Sequence, residues 1–344
     1  MVKIAMVTPW GKNTRCGIRT YSENLSHALA ELGVDVYIVR WPRFGQRSPE
    51  LILNCVVDNI PIDKVDLIHV MHEYGLFQPN LEEPFYSALS QLGKPIVTTM
   101  HATGIFVTDR IVAEASDAVI VHNEYMANRF TGKSFIIPHG CKPTNCPPEE
   151  ECKRSLRIDP RVPIVGYLGF ISPAKGLELL IEAMTKVKTA ALLIGGGWFV
   201  GDETNYIAKL RQWSLEVLPG RCQWLGYVPD ERVAIVYGAS SIIVYPSHHI
   251  TESGALLNAI SHGKAVIASR LPPTVEKEKR GALITFEDVD DLAEKIKWLL
   301  TDHDARHKLE EGARKYAEKH SWSRIAERHK SLYEKVIEEV ENGG

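Results

Sequence analysis

Short apolar runs alternate with amphipathic stretches along almost the whole chain, and the alternation pauses once, near the middle. KIAMVT, VDVYIV, DLIHVM, PIVTTM, AVIVH and SFIIP come before the pause. PIVGYLGF, AALLIGG, CQWLGYV, SIIVYPS, AVIAS and GALIT come after it. Each run is too short for a helix and predicts a buried strand. Between them lie segments of helical period. In residues 18–32, Ile18, Tyr21, Leu25, Ala28, Leu29 and Leu32 fall on one helix face. From Asp291 the chain reads as almost wholly helical, with Trp322, Ile325, His329, Leu332, Tyr333 and Val336 as an apolar stripe. Strand and helix in strict alternation predict an α/β protein with parallel sheets covered on both faces.

The pause, GCKPTNCPPEEECKRSLRIDPRVP over residues 140–163, is rich in proline, cysteine and charge and reads as an interdomain linker. It divides the chain into domains at 1–145 and 160–321, followed by a helix over about 322–344. A chain of 344 residues is long enough for two such domains. Doubly wound sheets bind ligands at the carboxyl ends of their strands, so two in tandem place the expected active site in the cleft between them.

Hydrophobic content of 44% and charged content of 24% suit a soluble globular protein. A net charge of -3 argues against a dedicated nucleic-acid binder. No apolar run reaches the length of a membrane span, and the start MVKIAMVTPWGK reads as a first strand rather than a leader, so the expected location is cytoplasmic. The six cysteines lack paired C-x2-C spacing, and free thiols are expected rather than a metal site.

Four stretches carry candidate chemistry. In TPWGKNTRCGIRTYSENL, Gly11 and Gly17 lie between the first strand and its helix, which suits close approach of an anion or a tight turn. In GYLGFISPAKGLELLIEAM, Lys175 and Gly176 open a helix; a lysine there opposes the helix dipole unless a polyanion lies between the two. In YPSHHITESGALLNA, the amides of Ser253, Gly254 and Ala255 suit a diphosphate. Glu252 cannot share that anion. It either faces neutral sugar hydroxyls or serves the helix start. Asn258 adds a donor and an acceptor. Finally, His101 in TMHATG, and His72 with Glu73 in VMHEYGLF, stand at strand carboxyl ends.

Three patterns are set aside. GGGWFV lacks the third glycine of a dinucleotide fingerprint. Asp288 and Asp290 form a D-x-D, but they precede DLAEKIKWLL, where Asp291 with Glu294 reads as a capping box. His248 and His249 are adjacent on a turn and ill placed to chelate one metal.

Taken together, RCGIRTYSENLSHAL, VMHEYGLF, TMHATG, IIPHGCKP, GYLGFISPAKGLELLIEAM, QWLGYVPDERVAIVYGASSIIVYPS and ESGALLNAISHGKAVIAS resemble the retaining nucleotide-sugar glycosyltransferases of family 4, the group 1 transferases. The resemblance implies a GT-B fold: two Rossmann-like domains facing across a cleft, donor on the second, acceptor on the first, and a last helix that packs back on the first. It implies Gly17 near the donor phosphates, His101 at the donor sugar, Lys175 on the diphosphate, and Ser253, Gly254 and Ala255 around the distal phosphate. His101, Lys175 and Glu252 are then the expected catalytic residues, Asn258 a donor-site residue, and His72 and Glu73 acceptor or supporting residues. Two departures stand out. Phe170 follows Gly169 where the family often has arginine, and the E-x7-E pair is replaced by Ile250 and Asn258. The activity implied is metal-independent transfer of a hexose, without a cofactor, to a hydroxyl acceptor such as a sugar, polyol or lipid-linked glycan. Peripheral membrane contact through the acceptor goes with the last of these. A nucleotide-sugar 2-epimerase and a non-catalytic sugar-nucleotide-binding regulator are the alternatives.

Overall fold

The computed structural model describes residues 1–10, 16–41, 49–77, 81–197 and 205–343. The chain forms two compact units: residues 1–140 with 320–344, and residues 141–319. Each is built around one six-stranded sheet, and every strand pair is parallel.

The first sheet has strands β1 (Lys3–Pro9), β2 (Asp35–Trp41), β3 (Leu67–His72), β4 (Ile96–Met100), β5 (Ala118–Val121) and β6 (Phe135–Ile136), in the order β2-β1-β3-β4-β5-β6. The second has β7 (Ile164–Leu168), β8 (Ala191–Gly195), β9 (Cys222–Gly226), β10 (Ile242–Tyr245), β11 (Ala265–Ser269) and β12 (Ile284–Phe286), in the order β12-β11-β10-β7-β8-β9. All twelve strands lie on apolar runs picked out by the sequence pattern. Central strands such as β3, β4, β7 and β10 are buried along their full length, which parallel sheets covered on both faces require. Strand order reverses between β1 and β3 in one sheet and between β7 and β10 in the other. These are the switch points at which doubly wound sheets open a crevice.

The stretch 140–163 is not a linker. Glu149–Ser155 is helical, Cys152 and Lys153 are buried, and the whole stretch from Cys141 belongs to the second unit. Its proline and charge are helix-start chemistry: Pro148 is the N-cap and three glutamates occupy the first turn, where the helix dipole favours them. The buried Lys153 ammonium pairs with Glu149 at 2.6 Å and donates to the Pro160 carbonyl at 3.1 Å. Cys146 and Cys152 pack on Gly238, whose missing Cβ makes the room. No helix among the described residues is long and apolar enough to cross a membrane.

The last helix, Trp322–Gly343, is grouped with the first unit and packs on the helix Gly17–Glu31. Its buried polar atoms are paired. The Tyr333 hydroxyl meets His69 Nδ1 at 2.7 Å, His69 Nε2 meets Thr99 Oγ1 at 2.8 Å, and His329 Nε2 meets the Tyr21 hydroxyl at 3.4 Å. Burial lowers the pKa of His329 to about 4 and that of His69 well below the usual range, so both are neutral at pH 7. Tyr333→Phe leaves His69 Nδ1 buried without a partner. Equilibrium urea unfolding of that variant is expected to show a loss of about 1–3 kcal/mol. A change of no more than a few tenths would mean the hydroxyl does not hold the helix to the sheet.

Candidate functional site

In the second unit the loops that follow β7, β8 and β10 converge at the switch point. Gly169 directly follows β7, and a Cβ there would lie 3.3 Å from the Ala255 Cβ. Gly196, after β8, has φ +139° and lies so close to Gly169 that a Cβ would fall 1.8 Å from its carbonyl oxygen. Three buried tyrosines fix this junction. Tyr245 places its hydroxyl 2.9 Å from the Leu168 carbonyl and 2.7 Å from that of Ala255; Tyr237 reaches the Ala255 carbonyl at 3.3 Å; Tyr167 donates to the Phe170 carbonyl at 2.6 Å. Tyr167 and Tyr245 on apolar-looking strands, with Tyr237 on the helix Asp230–Ala239, thus supply the phenols at the junction of the β7 end and the helix Gly254–Ser261.

At that helix the amides are unequally occupied. Ser253 is the N-cap, and its Oγ accepts from Leu256 N–H at 3.3 Å. The Ser253 N–H donates to Glu252 Oε1 at 2.8 Å. Of the three amides expected on a phosphate, only those of Gly254 and Ala255 remain open among the described residues, as the first-turn donors of a helix do.

Glu252 departs from the expectation of a sugar ligand. Its side chain is 7% exposed, and Oε2 lies 2.9 Å from the Nζ of Lys277, itself 4% exposed. Both carboxylate oxygens are thus engaged by the protein. Of the two readings the sequence left open, the geometry is that of a helix-start residue, with a buried counter-ion the sequence reading missed. Asn258 is exposed on the same helix.

Lys175 closes a 3-10 turn, Pro173–Lys175, between β7 and the helix Leu177–Lys186. The turn leans on the β10 loop. His248 N–H donates to the Ala174 carbonyl at 3.0 Å, and Gly176, at φ 60°, sits where a Cβ would meet the Pro246 carbonyl oxygen at 2.1 Å. The Lys175 side chain makes no hydrogen bond or ion pair among the described residues, and burial lowers its pKa below the ordinary lysine value. A half-buried ammonium without a counter-ion is a cost that an anion would offset. The D-x-D candidates are occupied elsewhere. Asp288 caps the helix Val289–Thr301 by accepting from Asp291 N–H at 2.9 Å, and Asp290 pairs with Lys186. The cap is Asp288 with Asp291, three residues before the expected Asp291 with Glu294. The Gly-rich stretch after β8 is described only through Gly197.

In the first unit, His72, Glu73 and His101 stand at the carboxyl ends of β3 and β4. His72 is fully buried, stacked on Phe77 at 4.4 Å, with Nδ1 3.2 Å from the Tyr86 hydroxyl; burial lowers its pKa to about 3. Burial raises the Glu73 carboxyl, against the amides of Gly75 and Tyr74. His101 N–H donates to the His72 carbonyl at 2.9 Å. Its Nδ1 lies 3.2 Å from His122 Nε2, and His122 Nδ1 lies 3.1 Å from the Ile137 carbonyl. In a neutral His122, Nδ1 must donate to that carbonyl, so Nε2 accepts from His101 Nδ1–H. His101 Nε2 then carries the lone pair. Burial, with the neighbouring histidines His122, His139, His69 and His72, keeps His101 neutral. The loop beyond is framed by Asp109, which accepts from Gly104 N–H at 2.8 Å and from the Tyr74 hydroxyl, and by the Arg129 guanidinium lying across Gly104. Sequence reading singled out none of these four. Gly17 begins the first helix, exposed and with open space around it. The preceding loop residues 11–15, Gly11 among them, lie outside the described residues.

Two parallel sheets with this strand order, helices on both faces and a C-terminal helix grouped with the first unit define a GT-B glycosyltransferase fold. The structure of Anabaena HepE in complex with UDP and glucose matches it with a TM-score of 0.77 at 16% identity, covering 97% of this chain and 100% of that one. Sucrose-phosphate synthase from Thermosynechococcus elongatus matches with a TM-score of 0.76 at 21% identity, covering 98% and 99%. Residues 148–316 match the family described as glycosyl transferases group 1. D-inositol 3-phosphate glycosyltransferase of Corynebacterium jeikeium is 30% identical over 198 residues, 54% of this chain and 47% of that protein. Sulfoquinovosyl transferase of Arabidopsis thaliana is 30% identical over 171 residues, 48% of this chain and 32% of that protein. In these alignments the chain spans half or less of the length of the curated relatives it matches.

The Glu252–Lys277 pair yields a sharp test. Lys277→Met leaves a carboxylate buried beside a methionine and is expected to cost about 3–5 kcal/mol in urea unfolding. Adding Glu252→Gln removes the stranded charge and should restore much of that loss. If Glu252 faced solvent and substrate instead, Lys277→Met would cost less than about 1 kcal/mol.

Proposed function

We propose that the chain transfers a hexosyl group from a nucleoside-diphosphate sugar to a hydroxyl acceptor, with retention at the anomeric carbon, as the family 4 resemblance implies. The observation that carries this reading is the Lys175 ammonium, half-buried and without a counter-ion among the described residues, on the same strand-end loops as the open amides of Gly254 and Ala255. The UDP in the Anabaena neighbour and the transferase names of the relatives support it over epimerisation or mere binding.

The chemistry needs charge stabilisation where charge develops. As the C1–O bond to the diphosphate breaks, negative charge grows on the leaving oxygen. Lys175 and the two amides are pre-oriented donors for it and take the place of a metal. The acceptor oxygen bonds to C1 from the face the diphosphate leaves, and the acceptor proton passes to a phosphate oxygen. No covalent intermediate is invoked, because the carboxylates described on these loops, Glu178 and Glu252, are both engaged by protein groups. His101, neutral with a lone pair on Nε2, accepts a sugar hydroxyl. His72 and Glu73 shape the acceptor side beneath it. Asn258 and Gly17 complete the donor contacts. The acceptor is a sugar, polyol or lipid-linked glycan, and with the last of these the protein works at a membrane surface from the cytoplasmic side.

A thermal-shift panel of nucleotide sugars finds the donor, since a ligand at 100 times its Kd adds about 2.7 kcal/mol of apparent stability. With that donor labelled, product analysis should show transfer with retained configuration. Epimer or unchanged donor contradicts the reading. Lys175→Ala is expected to lower kcat by about 10²-fold or more, the scale of losing one pre-organised donor to developing charge. Turnover near wild type would make Lys175 an ordinary surface residue. Transfer is also expected to survive EDTA; loss of activity restored by Mn²⁺ or Mg²⁺ would refute the charge assignment.

A further inference from the structure

Glu178 lies three residues after Lys175, in the first turn of the helix Leu177–Lys186, and both its oxygens are engaged. Oε1 lies 2.6 Å from His248 Nε2, on the β10 loop. Oε2 accepts from the hydroxyl of Tyr206, the first residue of the helix that follows β8. Burial alone would raise this carboxyl; the hydrogen bonds from Tyr206 and His248 outweigh it and hold it below the usual glutamate range. One side chain therefore joins the loops after β7, β8 and β10. The same β10 loop grips the Lys175 turn twice more, through His248 N–H on the Ala174 carbonyl and through Pro246 against Gly176. The pair is partly exposed, 44% for His248 and 34% for Glu178, so it is poorly placed as a stabilising core contact.

We propose that Glu178 is a positioning residue: with His248 and Tyr206 it clamps the Lys175 turn so that the ammonium is held ready for the donor diphosphate. The proposal rests on the diphosphate reading of Lys175 for its purpose, but the clamp can be tested without any ligand. Nothing in the transfer chemistry itself needs Glu178 to touch the sugar. Its carboxylate would repel a diphosphate that met it directly, whereas tied to His248 and Tyr206 it acts through the turn.

The ligand-free test is the acetylation rate of Lys175 by acetic anhydride, followed by mass spectrometry relative to the exposed lysines. Opening the clamp should free the half-buried amine, so Glu178→Ala and His248→Ala are each expected to raise the Lys175 rate several-fold, with other lysines unchanged. Glu178→Gln, which keeps both hydrogen-bonding positions, should stay near wild type. An unchanged rate in Glu178→Ala, or an equal rise at all lysines, overturns the clamp. The second measurement is calorimetric titration with whichever of UDP, GDP and ADP binds wild type most tightly. Glu178→Ala should weaken binding about ten-fold, the effect of 1.4 kcal/mol, and should have little further effect in a Lys175→Gln background. An equal loss in both backgrounds shows that Glu178 does not act through Lys175. A raised acetylation rate combined with no diphosphate binding by wild type keeps the clamp and sinks the diphosphate reading.

Discussion

β7 and β10 lie side by side in the second sheet, yet their onward connections run to opposite edges, β8 one way and β11 the other. With right-handed crossovers, the two following helices must leave on opposite faces. The backbone therefore parts between the strand ends, and the carboxyl edge opens there. Everything that lines this opening is forced into close quarters. Gly169 and Gly196 approach too closely for side chains, Gly176 fits beneath the Pro246 carbonyl, and tyrosine hydroxyls bridge the strand end to the helix at Gly254. Side chains larger than hydrogen would push the loops apart, so the composition of these turns follows from the sheet topology.

Polar groups at this edge divide into satisfied and unsatisfied ones. Glu252 has Lys277 and the Ser253 amide; Glu178 has His248 and Tyr206. Among the described residues, the Lys175 ammonium and the open amides of Gly254 and Ala255 are left without partners, and the proposed donor site rests on them. Buried carboxylates are costly unless paired, and Glu252, with its Lys277 partner, is paired.

Much of the fold was legible in the sequence because parallel strands buried on both faces read as plain apolar runs, and those of all twelve strands stand out. The segment from Cys141 to Pro163 misled because proline, cysteine and glutamate look alike in a linker and at a helix start; only packing on Gly238 separates them. The place of Lys175 at a helix entry was legible in the sequence. Glu252 was half legible. Its closeness to the amides was visible, but its partner, Lys277, is on another helix, and no local pattern links the two. Glu178 was hidden for the same reason, since Tyr206 and His248 reach it from distant parts of the chain. Tyr237 and Tyr245 are buried, and their hydroxyl bonds are not visible in the sequence.

The central claim is that Lys175 meets the diphosphate, and protons report it most directly. Burial lowers the Lys175 pKa in the free protein, and an anion beside it must raise the value again. Between the two values the complex holds more protons than the free protein. Binding should then take up protons, and affinity should fall as pH rises from the free value toward the bound one. Calorimetry of nucleoside-diphosphate binding at about pH 9.5, below the ordinary lysine pKa of about 10.4, in buffers of different ionisation enthalpy, measures that uptake. The account predicts proton uptake by the wild type and its loss in Lys175→Gln. Equal uptake by both proteins, or none by either, would contradict it.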